Sequence, residues 1–214
     1  SVEYLPPDDK YYKTTGTWCQ SYKDMWGLDK MNIQEAWSIE KGSADIVAAV
    51  VDTGCDYNHE DLSANIYTNT AEIAGNGIDD DGNGYVDDTR GWDFIGANAD
   101  TPIQDNDPID GHGHGTHVAG TIAAVTDNYK GIAGVSWRSK IMPVKVLDNA
   151  GSGSVAGCAQ GIRYAVDNGA RIINNSWGGF GDSLTVRNAV DYAYAHNCVV
   201  VAAAGNENQD ALYS

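Results

Sequence analysis

A chain of 214 residues, 42% of them hydrophobic, has the length and apolar content to bury the core of one sizeable α/β domain. Its formal net charge of -17 argues against nucleic acid and anionic membrane as partners, because such an excess of acid repels phosphates; the acid must be solvated or bound to cations. No apolar run approaches the roughly 18 residues of a membrane helix, and the opening lacks the charged and apolar regions of a signal peptide, so the expectation is a soluble chain, already processed.

In chain order, the first strong element is IVAAVV at 46–51, a continuous apolar run of the length of a buried strand. Asp52 follows it directly, and Gly54 permits a sharp turn. Residues 76–110, rich in Gly, Asn and Asp, are too polar and too punctuated for a core element and predict a long decorated loop. Residues 114–124 predict a helix whose small residues, Gly115, Ala119, Gly120 and Ala123, let it pack close to a sheet. IMPVKVL at 141–147 predicts a second strand, 155–168 a helix ending at Gly169, and RIINNS at 171–176 a third strand. A helix over 183–196, capped by Asp182 or Ser183, leads to CVVVAAA at 198–204, the last buried strand. Strands alternating with helices imply an α/β fold, a parallel doubly wound sheet covered on both faces, with no repeat and no interdomain linker. Four cysteines (Cys19, Cys55, Cys158, Cys198) show no metal or redox spacing; free or paired, they allow three connectivities. The N-x-S at Asn174 lies in a predicted buried strand and is not read as a glycosylation acceptor.

Sites in open parallel sheets form where strands end at their carboxyl edges. Asp52 stands at one such edge, GHGHGTHVAGT (111–121) brings histidines to the start of a helix, and VVVAAAGN ends a strand on Asn206. An Asp, a His and a strand-end Asn in that order make a chemical proposal. Asp52 would fix an imidazole tautomer, the imidazole would take a proton from a hydroxyl nucleophile, and Asn206 would donate to the developing oxyanion.

AVVDTGCDYNHEDL, GHGTHVAGTIAA, GSGS, NNSWGG and VVVAAAGN together resemble the successive signature segments of the subtilisin-like serine proteases, the subtilases of peptidase family S8. The opening PPDDKYY and WGLDKMNIQEAW are similar to the thermitase branch, so the resemblance runs over nearly the whole chain. It implies a subtilisin-like three-layer fold and a secreted peptidase acting on polypeptides. The first His of H-G-T-H is the family's catalytic one, which makes His114 the general base and leaves His112 and His117 in supporting roles. Ser176, Trp177 and Gly178 resemble one substrate-binding edge, and Gly151, Ser152 and Gly153 the other, with substrate added between them as a β-strand. Trp177 replaces the usual Leu, which alters the distal apolar pocket. Ala203 and Gly205 belong to one wall of the primary pocket.

The family's nucleophile lies in a G-T-S segment, which does not occur in 1–214. Ser152, Ser154 and Ser176 belong to the two edges, and Ser214 follows too closely on Asn206. The expectation is that 1–214 is the N-terminal part of a single peptidase domain. Its C-terminal remainder, as continuation or second chain, supplies the serine, and a propeptide accompanies it.

Calcium is the expected cofactor. DDDGNGYVDD places Asp79, Asp81 and Asn83 at alternate positions before Gly84, the first half of an EF-hand calcium loop. Its twelfth position is Arg90, not Glu, so Asp87 or Asp88 supplies the bidentate carboxylate, or else the segment is a solvated acidic loop. The resemblance adds Asp61, completed by Asn128 and carbonyls of 125–132, then Asp9, and Asp93 with Asn98 and Asp100 as companions. Two other readings stay open: a zinc hydrolase built on His112, His114 and His117, and a non-catalytic calcium-binding module or pseudoprotease.

Overall fold

The computed structural model describes residues 6–179, 181–206 and 208; Ser214 lies outside them. In chain order the elements are α1 (Trp26–Lys30), α2 (Ile33–Trp37), β1 (Val47–Asp52), a 3-10 turn (Ser63–Asn65), β2 (Trp92–Asp93), α3 (His114–Ala123), β3 (Lys140–Lys145), α4 (Val155–Asp167), β4 (Ile172–Asn175), α5 (Leu184–Ala195) and β5 (Val199–Ala202). All strands are parallel and lie in the order β2-β3-β1-β4-β5, so β1 is flanked by β3 and β4. Ser183, not Asp182, caps α5, its hydroxyl accepting the amide of Val186.

Alternation along β1 divides the core. Ala49 and Val51 join Met142, Val144, Val146 and Ile173 under α4 and α5, while Ala48 and Val50 join Ile141 under Ala119 and Ala123 of α3. Helices on both faces explain why these strands read as unbroken apolar runs. A third cluster, Tyr12, Leu28, Ile33, Trp37 and Ala133, anchors the N-terminal arm.

Two expectations need correction. The stretch 76–110 is not loop throughout: Trp92 and Asp93 pair with Val144 and Lys145, and Phe94 and Ile95 are buried behind them. Pro143 suits this short edge. Phe94 N–H donates to Lys145 O, so Pro143, two residues earlier, faces the same side before β2 begins. There Gly91 passes so close that a Cβ would meet Pro143 O at 1.9 Å. The last strand is not buried: Val199 and Val201 of β5 are 60% and 45% exposed. The short helices α1 and α2 were not predicted at all.

All four cysteines are free thiols, and only Cys19 is exposed. Burial pushes the Cys55 thiol up to about 12 and that of Cys158 up to about 11, keeping both protonated and inert. A thiol reagent should therefore label Cys19 alone of these four in the native protein, and all four after denaturation without reductant. Failure of two to react when denatured would reveal a disulfide.

Candidate active site

β1 delivers Asp52 to the carboxyl edge of the sheet, where its side chain is fully buried. Gly54, at φ +105, turns the chain so tightly that a Cβ would meet Pro108 O at 2.6 Å. His114 opens α3, and its Nδ1 lies 2.7 Å from Asp52 Oδ1, which also accepts the Thr53 amide at 2.7 Å. The helix reaches the strand this closely because its second residue is Gly115, whose Cβ would stand 2.1 Å from Gly54 O. With Nδ1 held by a carboxylate, the proton sits on Nδ1 and Nε2 keeps its lone pair, the arrangement a general base requires. The His114 side chain remains 44% exposed, open to an incoming partner.

The two predicted edges flank this pair, because they continue the two neighbours of β1. After β3, residues 148–153 form a tight turn: Asp148 accepts the amides of Ala150 and Ser152, and Leu147 bridges antiparallel to Gly153. Gly151 takes φ +76, with His112 Nε2 at its side. After β4 come Ser176, Trp177 and Gly178; the Trp177 indole packs on the main core and donates to Val51 O at 2.9 Å, the carbonyl before Asp52. Ala203, Gly205 and Asn206 follow β5 on the same sheet edge, all exposed, with the Ala203 amide donating to Asn175 O. His117 is exposed on α3. Among the described residues, the one group of three metal-ligating side chains with ligand atoms within 4.8 Å of one another is Glu72, Asp81 and Asp88. The histidines form no such group.

That acidic group only partly matches the expected calcium loop. Asp81 and Asp88 converge with Glu72, whose carboxylate gathers the amides of Asp80, Asp81 and Asp87. Asn83 donates to both Asp81 and Asp88. Asp79 instead accepts the amides of Gly82, Asn83 and Gly84, and Asp87 those of Asn76 and Gly77. Burial raises the Asp88 carboxyl above its ordinary range. Glu72 escaped sequence reading because it lies outside the spaced motif.

Asp9, Asp61 and Asn128 come together around the segment 125–132. Asp61 Oδ1 accepts from Asn128 Nδ2 at 2.8 Å and Oδ2 from the Ile132 amide at 3.0 Å, while Asp9 accepts the Asp127 amide at 2.9 Å. The segment bends through left-handed Asp127 and Tyr129, and a Cβ on Gly131 would meet Asp61 Oδ2 at 2.0 Å. Burial, with the nearby charges of Asp61 and Asp8, pushes the Asp9 carboxyl up to about 6. Two buried like charges with hard oxygen donors suit a calcium ion. Asp93 is also buried, but it accepts the amides of Ile95 and Gly96, and Asn98 bonds to the Asp100 amide instead of joining it.

Comparison with known proteins agrees with this geometry. The chain is 37% identical over 96% of its length to thermitase of Thermoactinomyces vulgaris, spanning 60% of that protein. It is 36% identical over 99% of its length to a thermophilic serine proteinase of Bacillus sp. (strain AK1), spanning 46% of it. Among solved structures, a protease from Pseudoalteromonas arctica superimposes with a TM-score of 0.74 at 31% identity, covering 98% of this chain and 62% of that one. The chain thus spans less than two thirds of these relatives. The family model described as the subtilase family, peptidase S8, matches residues 43–214, and with the Asp52–His114 pair between two sheet-edge segments, the chain belongs to the subtilases.

Proposed function

We propose that the chain is the N-terminal part of a secreted, calcium-stabilised serine endopeptidase that cleaves polypeptides by acyl transfer. The observation that carries this reading is the 2.7 Å contact of His114 Nδ1 with buried Asp52, set between the edges 151–153 and 176–178. An extended peptide adds between those edges by backbone hydrogen bonds. His114 Nε2 takes the proton of a serine hydroxyl as the oxygen attacks the scissile carbonyl, Asp52 stabilises the imidazolium, and Asn206 donates to the oxyanion. His114 then returns the proton to the leaving amine.

The serine and the base of the primary pocket are assigned to sequence after Ser214, as continuation or second chain, and a propeptide is part of the proposal. Among the described residues β5 pairs only with β4, and its Val199 and Val201 are exposed; both support this reading, since parallel strands are ordinarily covered. Secretion fits the calcium reading, because extracellular sites work at calcium levels far above those of a cell interior. No described helix is long and apolar enough to cross a membrane.

Asn206→Ala in the full-length protease should lower kcat by about 100- to 1,000-fold, the scale known for the subtilisin asparagine, with KM little changed. A change confined to KM would remove Asn206 from the oxyanion site.

Calcium would be held by Asp9, Asp61 and Asn128 with carbonyls of 125–132, and by Glu72, Asp81 and Asp88; it would tie loops together and neutralise buried acid. Chelation should lower Tm, and the pH dependence has a definite sign. Because the folded-state pKa of Asp9 is raised to about 6, its protonated form is the one favoured by the metal-free fold. That contribution is complete below the unfolded carboxyl range and is lost as pH rises through about 6. The calcium-dependent gain in Tm should therefore be small at pH 5 and large at pH 8. Asp9→Asn should flatten the metal-free slope, and Glu72→Gln with Asp81→Asn should reduce calcium stoichiometry. An unchanged stoichiometry would leave the acidic loop as solvated surface.

A further inference from the structure

We infer that Asp110 is a positioning residue that fixes the separation of Asp52 and His114; the inference rests on the peptidase reading above. Asp52 and His114 come from segments 62 residues apart and share one hydrogen bond. A second, larger set of bonds surrounds that contact and converges on one carboxylate. Asp110 Oδ1 accepts the Thr53 hydroxyl at 3.0 Å and the amides of His112 and Gly113 at 2.8 Å each. Its Oδ2 accepts the amide and hydroxyl of Thr116 at 2.9 and 2.6 Å. The Thr53 hydroxyl in turn accepts the Gly115 amide at 2.9 Å.

The residue after Asp52 is thereby joined to both residues before His114 and to both after it. Each neighbour is itself fixed. Thr53 is 1% exposed, and its carbonyl accepts from the buried ammonium of Lys145 at 2.8 Å. The Thr116 hydroxyl accepts the Asp56 amide at 2.9 Å, which binds the turn after β1 to the same helix. Burial alone would raise the Asp110 carboxyl, but the bonds from Thr116, Gly113 and His112 outweigh it and hold it below the usual range, so the group stays an ionised acceptor. Asp110 also occupies the N-terminal end of α3, where a carboxylate satisfies amides the helix leaves open.

Without this acceptor the first turn of α3 keeps only the Gly115–Thr53 and Asp56–Thr116 bonds around the Asp52–His114 contact, and its aim loosens. Displacements of about 1 Å in a reacting group cost on the order of 100-fold in rate. None of the Asp110 bonds reaches 151–153 or 176–178, so substrate binding is not its task.

The test uses the active full-length protease. Asp110→Asn sets an NH2 group against the Thr116 donors; kcat should fall by about 10- to 100-fold, with KM within about twofold. The far-downfield Nδ1–H resonance of His114 should broaden or disappear in the proton NMR spectrum. Thr53→Val, which removes only the bridging hydroxyl, should show the same pattern, and Thr53→Ser should recover most of the lost kcat. A merely structural role predicts a lower Tm with kcat and the resonance unchanged in both folded variants, and that result overturns the inference. If Asp110→Asn does not fold, the Thr53→Val and Thr53→Ser pair decides alone. A wild-type protein with no peptidase activity would instead sink the underlying peptidase reading, so the two failures are distinguishable.

Discussion

Replacing His114 with alanine should lower kcat of the full-length protease by about a millionfold, the scale subtilisin shows when its own catalytic histidine is removed. The effect is this large because, among the described residues, His114 is the one imidazole bonded to Asp52: neighbouring His112 is turned toward Gly151 instead, and His117 is exposed elsewhere on α3. The fold should survive, since the side chain is 44% exposed and fills no core position. Asp52→Asn should cost less, about ten-thousandfold, because an amide in that position favours the wrong imidazole tautomer while leaving the base in place. Steady-state kinetics with circular dichroism as the folding control check both. A loss below tenfold in folded His114→Ala would exclude it as the general base.

A serine-directed phosphonate should label the full-length protease once, at a serine beyond residue 214, and the 1–214 chain alone should neither take the label nor hydrolyse peptides. The serines of the two sheet edges have other places in the fold. Ser154 caps α4 through the Gly157 amide, and Ser176 Oγ accepts from Asn174 Nδ2 at 2.9 Å. Ser152 sits in the turn organised by Asp148. Peptide mapping of the labelled protein locates the site. Label on any serine within 1–214 would overturn the assignment, and an unlabelled, inactive full-length protein would favour the pseudoprotease.

The central strands and long helices were legible because burial on both sheet faces leaves an uninterrupted apolar run, and the helices between them carry their own stops, such as Gly169 at φ +87. Asp52 and His114 were legible through motif spacing, and the structure brings them into contact. What stayed hidden had no periodicity to announce it. β2 is two residues long, and α1 and α2 are five each, too short for a 3.6-residue pattern. Glu72 lies before the acidic motif it closes, and its role depends on a chain reversal that brings the amides of Asp80, Asp81 and Asp87 back to it. Asp110 and Lys145 act through contacts 57 and 92 residues distant, which no local window contains.

α3 is held at both ends. Asp110 grips its first turn beside His114, and just past its last residue the Val125 amide donates to Asp61 O, where the segment 125–132 begins to fold around the Asp61 carboxylate. Ten residues make the helix about 15 Å long, a rigid strut with the base on one tip and the proposed calcium nest just beyond the other. The first anchor is made of hydrogen bonds within the chain, whereas the second, on the proposed calcium reading, would also depend on an ion from the medium. On the proposed calcium reading the helix would carry a thermostat: the mineral content of the medium would set how firmly the end of the strut far from the histidine is tied down.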